Sequence, residues 1–318
     1  MLNFCVLGPL EVKSPAQTLR VRGSLQRILL ATLVVNARRF VPSDELIDEM
    51  WGDDAPDRVE NALQAHVSRL RRSLAALEPG AARPRLVTRQ SGYYLVAEDE
   101  EIDAAVFTRG VEQLGAGADP PAGAARDLRL LLDLWHGPIF GGALGGRLCR
   151  AAAARLEEAR LTALELLHDI ELAAGEHRAT IPELRELLVD HPYKERFRQQ
   201  LMLALYRSGR QAEALEVYRE LRHQLTEELG LAPSPAMRAY EQAILAQDPL
   251  LQTHTPRLKS LAHSSYTPSG HTHGGHARGG EPLGARRAVA RGAQEAQAEP
   301  SLRLVAVADP QQPVGGGQ

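Results

Sequence analysis

The stretch NALQAHVSRLRRSL, residues 61–74, carries an apolar line on one side of a helix and Arg69, Arg71 and Arg72 around the rest. At about 100° per residue, Leu63, Val67, Leu70, Leu74 and Leu77 all fall within about 40° of Leu63, so they form one stripe for burial. The opposite face, from about 100° to about 240° on the same wheel, holds Gln64, Ser68, Asn61, Arg72, Ala65 and Arg69 in that order. Such amide, hydroxyl, small and guanidinium side chains suit base edges and phosphates. Gln or Asn can bridge adenine, Arg can bridge guanine, and small residues allow close approach to the groove. A helix face that meets only water mixes in Glu and Lys, whereas no acidic residue stands between Gln64 and Leu77. Arg71 falls near about 80° on that wheel, beside the buried stripe, a place suited to backbone phosphate.

The neighbouring segments give this helix a setting. Residues 3–7 (NFCVL) and 19–22 (LRVR) read as short strands, and a helix is expected from Ser24 to about Asn36. A second helix spans Ser43–Trp51, with Ser43 as its N-cap after Pro42 and Leu46, Ile47 and Met50 as its apolar face. The Arg-rich helix itself runs from about Asp57 to Leu77 and is stopped by Pro79-Gly80. RLVTRQSGYYLV (85–96) then reads as a hairpin bent at Ser91-Gly92. Strands, three helices and a terminal hairpin make a winged helix-turn-helix pattern, in which Arg89 reaches the adjacent minor groove or its phosphates.

From residue 101 to 248 the pattern is almost wholly helical. Leu156, Ala159, Ala163, Leu167, Ile170 and Ala174 follow three-four spacing, as do Ala214, Tyr218, Leu221, Leu225 and Leu229. Leu172-Ala-Ala-Gly175 and Tyr206-Arg-Ser-Gly209 are offset by 34 positions, the length of a tetratricopeptide repeat, and stacked hairpins of that kind usually bind protein. After Pro249 the chain turns to Gly, Pro, Ser, Thr and His, a composition expected to stay disordered to the C-terminus. HTHGGH (271–276) reads as linker, because three flexible histidines without fixed supporting groups make an unselective ligand set. The expected fold class is therefore mainly α: an N-terminal winged helix-turn-helix (α+β) at 1–98, an all-helical tetratricopeptide-like domain at 101–248 and a disordered tail at 249–318.

Composition and charge narrow the function. A chain of 318 residues, 44% hydrophobic and 24% charged, can bury a real core in about two domains. Its net charge of −3 hides an acidic centre: residues 1–97 carry 13 Lys and Arg against 10 Asp and Glu, and residues 98–248 carry 17 against 26. The basic end is compatible with nucleic acid and the acidic centre with protein. Cys5 and Cys149 lie far apart with no C-x-x-C pair, which fits a reducing cytoplasm, and the apolar run Ile28–Val35 is too short to cross a membrane. No catalytic arrangement stands out: His66 and Ser68 lie about 160° apart on the wheel with no acid placed to orient them. GGALGG (141–146) lacks the lysine of a phosphate-binding loop. No metal or other cofactor is expected.

SDELIDEMWGDDAPDRVENALQAHVSRLRRSL (43–74) followed by LVTRQSGYYL (86–95) resembles the OmpR-type winged-helix domain. ARLEEARLTALELLHDIELAAGEH (154–177) and the long stretch from HPYKERF to YEQAIL (191–245) resemble the bacterial transcriptional activation domain. In this order they are similar to the actinobacterial antibiotic regulatory proteins of the SARP and AfsR class. The resemblance implies a pathway-specific activator of a secondary-metabolite gene cluster, cytoplasmic and nucleoid-associated, that binds tandem direct repeats near the promoter as a homodimer and recruits RNA polymerase. The residues expected to meet DNA are Asn61, Gln64, Ala65, Ser68, Arg69, Arg71, Arg72 and Arg89. The competing reading is a tetratricopeptide-like adaptor that binds protein without DNA. Neither receiver domain nor ATPase motif accompanies the match.

Overall fold

The computed structural model describes residues 1–117, 120–143 and 145–252. The tail beyond, including the HTHGGH stretch, lies outside the described residues. Three short strands, β1 (Asn3–Cys5), β2 (Glu11–Lys13) and β3 (Thr18–Arg20), form an antiparallel sheet in that order. Helix α1 (Ser24–Val35) follows, then β4 (Phe40–Pro42), α2 (Ser43–Trp51) and α3 (Val59–Leu77). Strands β5 (Leu86–Arg89) and β6 (Gly92–Leu95) close the wing as a second antiparallel sheet of order β4-β6-β5. The expected winged helix is present, with two strands the sequence pattern did not reveal, β2 and β4. Ser43 is not the N-cap of α2. It is the first helical residue, and its N–H donates to Ser91 O at 2.8 Å, which ties the helix to the wing turn.

Seven helices complete the described chain: α4 (Asp103–Gly115), α5 (Ala124–Leu132), α6 (Arg147–Ala173), α7 (His177–Asp190), α8 (Glu195–Arg207), α9 (Gln211–Leu229) and α10 (Pro235–Leu245). The 34-residue offset is repeated in the bonding. Glu176 N–H donates to Glu171 O and Arg210 N–H to Leu205 O, both at 2.9 Å, around Gly175 at φ 92° and Gly209 at φ 79°. A left-handed glycine lets each helix end and the next begin at once. Helix α8 fills the centre of this half, with Phe197 and the run Leu201–Leu205 buried. Pro249–Leu251, at the start of the stretch expected to be disordered, form a short turn with Leu251 buried and its carbonyl accepting from Arg207 Nε at 2.7 Å.

One hydrophobic core runs from the first strands into the helical region, joining Phe4, Leu29, Leu46, Leu63 and Leu70 to Phe107, Leu128, Phe140 and Cys149. Two carboxylates, the partly buried Asp103 and the buried Glu49, bind these parts together. Asp103 opens α4 and accepts from Val6 N (2.9 Å) and Leu7 N (3.1 Å) at the end of β1. Glu49, on α2, accepts from Leu148 N and Cys149 N in the first turn of α6, the second at 3.2 Å. That placement satisfies two N–H groups that a helix start leaves orphaned and sets negative charge at the positive end of the helix. Gly145 and Gly146 permit the approach. A Cβ on Gly146 would stand 2.9 Å from Glu49 Cα, and one on Gly145 2.6 Å from Ile28 Cγ2.

Cys5 and Cys149 are both free, and burial pushes each thiol up to about 11. No helix among the described residues is long and apolar enough to cross a membrane.

Candidate nucleic-acid interface

Helix α3 buries the whole stripe of Leu63, Val67, Leu70, Leu74 and Leu77. The register is thereby fixed, and Asn61, Gln64, Ala65, Ser68, Arg69 and Arg72 are all exposed on its outer side. Among the described residues, the side chains of Asn61, Gln64, Ser68, Arg69 and Arg72 make no hydrogen bond or ion pair, so their donors and acceptors face outward unspent. Between the two faces stands His66. Its Nδ1 lies 2.9 Å from Gln26 Oε1 on α1, and its ring meets Trp51 of α2 edge-on at 5.9 Å. Burial, then the charge of Arg69, lowers its pKa below the ordinary histidine value, which keeps it neutral at pH 7. It holds α3 against α1 and α2.

Arg71 differs from its neighbours. It is half-buried, donating through Nε to Leu86 O and through Nη2 to Thr88 Oγ1, each at 3.0 Å. Both acceptors belong to β5, so Arg71 pins the wing to α3. Arg85 anchors the base of the wing in the same manner: its guanidinium grips the Glu78 carboxylate at 2.7 and 2.8 Å and that of Glu101 at 2.8 and 2.9 Å. The wing turn is Gln90–Ser91, one residue earlier than expected, with Gln90 at φ 45°. Gly92 is a strand residue paired with Pro42 and Arg89, and a Cβ there would meet Val41 O at 2.3 Å. Arg89 is exposed beside this turn, its guanidinium 5.3 Å from the Tyr94 ring centre. Gln90, at the exposed tip, was not singled out from sequence; the short R-Q-S-G spacing was the available signal.

Charge is uneven over the interface. Asp53, Asp54, Asp57 and Glu60 are exposed on the approach to α3 and in its first turn. Arg58 stands alone amid these four acids, and further cations without an ion pair among the described residues follow at Arg69 and Arg72, with Arg89 on the wing. Arg38, by contrast, is spent on Glu98 and Asp99 at 2.9 and 3.0 Å. A polyanion therefore meets favourable potential over the middle of α3 and the wing turn, and repulsion at the start of the helix.

Two family models match the chain, one described as "Transcriptional regulatory protein, C terminal" over residues 23–95 and the other as "Bacterial transcriptional activator domain" over residues 102–245. The chain is similar to the transcriptional regulator RedD of Streptomyces coelicolor, 42% identical over 252 residues, covering 78% of this chain and 71% of RedD. It is similar also to the regulatory protein DnrI of Streptomyces peucetius, 33% identical over 268 residues, covering 82% of this chain and 98% of DnrI. Among solved structures, that of Mycobacterium tuberculosis EmbR in complex with a low-affinity phosphopeptide superposes with a TM-score of 0.71 at 32% identity, over 82% of this chain and 68% of that one.

Proposed function

The chain belongs to the SARP and AfsR class of transcriptional regulators, and from that premise we propose that it activates a secondary-metabolite gene cluster by binding direct repeats at its promoter. The class consists of regulators of transcription and not of enzymes. The observation that carries the reading is the outer face of α3, where two uncommitted arginines, two amides and a hydroxyl stand exposed beside an anchored wing. Gln64 and Arg69 read bases, Arg72 and Arg89 meet phosphate or the adjacent minor groove, Ala65 allows close approach, and Asn61 and Ser68 extend the polar contact. Residues 1–98 do the reading. Residues 101–248, with their acidic balance, supply contacts to a second protomer and to RNA polymerase.

One recognition helix covers only a few base pairs, so two protomers on direct repeats multiply the discrimination against competing genomic sites. Head-to-tail placement requires both copies to face one side of the duplex about one helical turn apart. The test uses the full chain on promoter fragments from its neighbouring genes, with binding followed across salt and activation followed with purified RNA polymerase. Footprints over two repeats, loss of about 1–3 kcal/mol of sequence discrimination in Arg69→Ala, and loss of activation when half a turn separates the repeats are expected. Binding that ignores sequence, or activation indifferent to the spacing, would refute the proposal.

A further inference from the structure

Away from the DNA-facing surface, the first helical hairpin holds polar atoms that the packing leaves unsatisfied. His168 on α6 is 0% exposed, and neither ring nitrogen has a hydrogen-bond partner among the described residues. Three residues on, the buried Glu171 places Oε2 3.5 Å from His168 Nδ1, an ion-pair distance without hydrogen-bond geometry, and that oxygen too has no hydrogen-bond partner among the described residues. Glu183 of α7 closes the group: one ligand atom from each of the three lies within 4.8 Å of the others. Buried polar groups are almost always paired, so an orphaned imidazole facing an orphaned carboxylate oxygen calls for a third party.

The bland account is an ion cluster satisfied by Arg129 of α5. Its geometry falls short. Arg129 donates to Glu171 only at Oε1, through Nε at 2.9 Å and Nη2 at 2.5 Å, and reaches the Glu183 oxygens at 3.2 and 3.4 Å. The oxygen aimed at His168 takes no hydrogen bond from Arg129. An outer guanidinium that orients a carboxylate while its other oxygen stays available is a usual support for a metal ligand. Two carboxylates, Glu171 and Glu183, stand against the one guanidinium of Arg129, an acidic balance that favours a cation. His168 and Glu171 share a helix face by their spacing, and Glu183 comes from the neighbouring helix, as in metal sites built between facing helices. The Glu183 side chain is 44% exposed, which gives an ion a way in.

We propose that His168, Glu171 and Glu183 form a divalent transition-metal site that clamps α6 to α7. One imidazole nitrogen and two carboxylate oxygens suit zinc or cobalt, with water completing the shell. The test uses the full chain with His271→Asn, His273→Asn and His276→Asn, which removes the histidine-rich stretch as a competing ligand set. Equilibrium dialysis against Zn²⁺ should give one bound ion per chain, and Co²⁺ should give visible d–d absorption of a low-symmetry site. At free metal about 100 times the Kd, the folded-to-unfolded ratio should rise about 100-fold. Glu183→Gln, half-exposed and isosteric, should raise the Kd at least about tenfold while leaving the fold intact, and His168→Asn should abolish the Co²⁺ spectrum. No stoichiometric ion in this background would overturn the site. So would an ion bound equally well by the Glu183→Gln chain.

Discussion

Arg71→Ala separates two roles that the helix wheel could not tell apart. By angle alone Arg71 belongs at a phosphate, yet its guanidinium spends Nε on Leu86 O and Nη2 on Thr88 Oγ1. A hydrogen bond from a charged donor is worth about 1.5–3 kcal/mol net. Arg71 is only half-buried, and water can reach both acceptors once it is gone, so the two bonds together are discounted to about 1–2 kcal/mol. Urea unfolding of the variant should lose that amount, and amide exchange should accelerate over residues 86–95 because the wing is no longer pinned. DNA affinity should fall on all sequences alike. The salt dependence of binding should keep its slope, since one lost phosphate contact would lower it by about 0.9. Arg69→Ala, free of intramolecular bonds, should stay within about 0.5 kcal/mol of wild-type stability and lose sequence preference instead. An Arg71→Ala chain with unchanged stability and a slope reduced by about one would put this residue on the phosphate and refute the clamp.

Three further outcomes follow from the packing. Glu49→Ala leaves Leu148 N–H and Cys149 N–H without their acceptor at the start of α6, and should cost about 2–4 kcal/mol; an unmoved urea midpoint would contradict the cap. Gly92→Ala sets a methyl 2.3 Å from Val41 O, so β4 and β6 must part; a drop in Tm and loss of operator binding are expected, and a wild-type melting curve would count against the close approach. Burial pushes the Asp103 carboxyl up from 3.8 to about 6, against the backbone N–H donors of Val6, Leu7 and Ala104 that pull it down. Its folded pKa lies above the unfolded one, so the folded state holds the proton more tightly and stability is lost as pH rises from about 4 to about 6, by up to about 3 kcal/mol. The stability of the wild type relative to Asp103→Asn should fall across that window, and a flat difference from pH 4 to pH 7 would remove Asp103 as its source.

What could be read from the sequence was what repeats locally. The stripe on α3 is a 3.6-residue pattern of five apolar residues, and it fixed both the buried side and the exposed one. The glycine offset of 34 was legible for the same reason, because each helical hairpin uses the same turn. Strands β2 and β4 were not. Each offers a single buried residue, Val12 or Val41, where Phe4 is continued by further apolar residues to Leu7, and each exists because a partner strand is present. The wing turn was misplaced by one because Gly92 attracts a turn reading, although Gln90 takes the positive φ and Gly92 is required by a backbone oxygen far off in sequence. GGALGG could be tested for a phosphate loop and nothing more, since the reason for Gly145 and Gly146 is Glu49 on another helix. His168 is an ordinary core position by spacing, and only the missing hydrogen bonds around it set it apart.

Asp103 and Glu49 bear on how the two proposed roles are connected. A flexible linker between the DNA reader and the helical region would let the second point anywhere, whatever the spacing of the operator. Here Asp103 takes N–H bonds from the end of β1, Glu49 of α2 caps α6, and side chains from both parts fill one core. Helix α2 packs against α3, so the seating of α3 in a groove fixes the direction of α6. Two copies on direct repeats about one helical turn apart are then related by a translation along the duplex, and their helical regions lie side by side on one face. An insertion of half a turn moves the second copy to the opposite face, about 180° around. A junction held by these bonds and this packing resists that rotation. On the proposed tandem arrangement, sensitivity of activation to helical phase would be a consequence of the α2–α6 junction, and a chain in which Glu49→Ala loosens it should tolerate the half-turn insertion better than the wild type does.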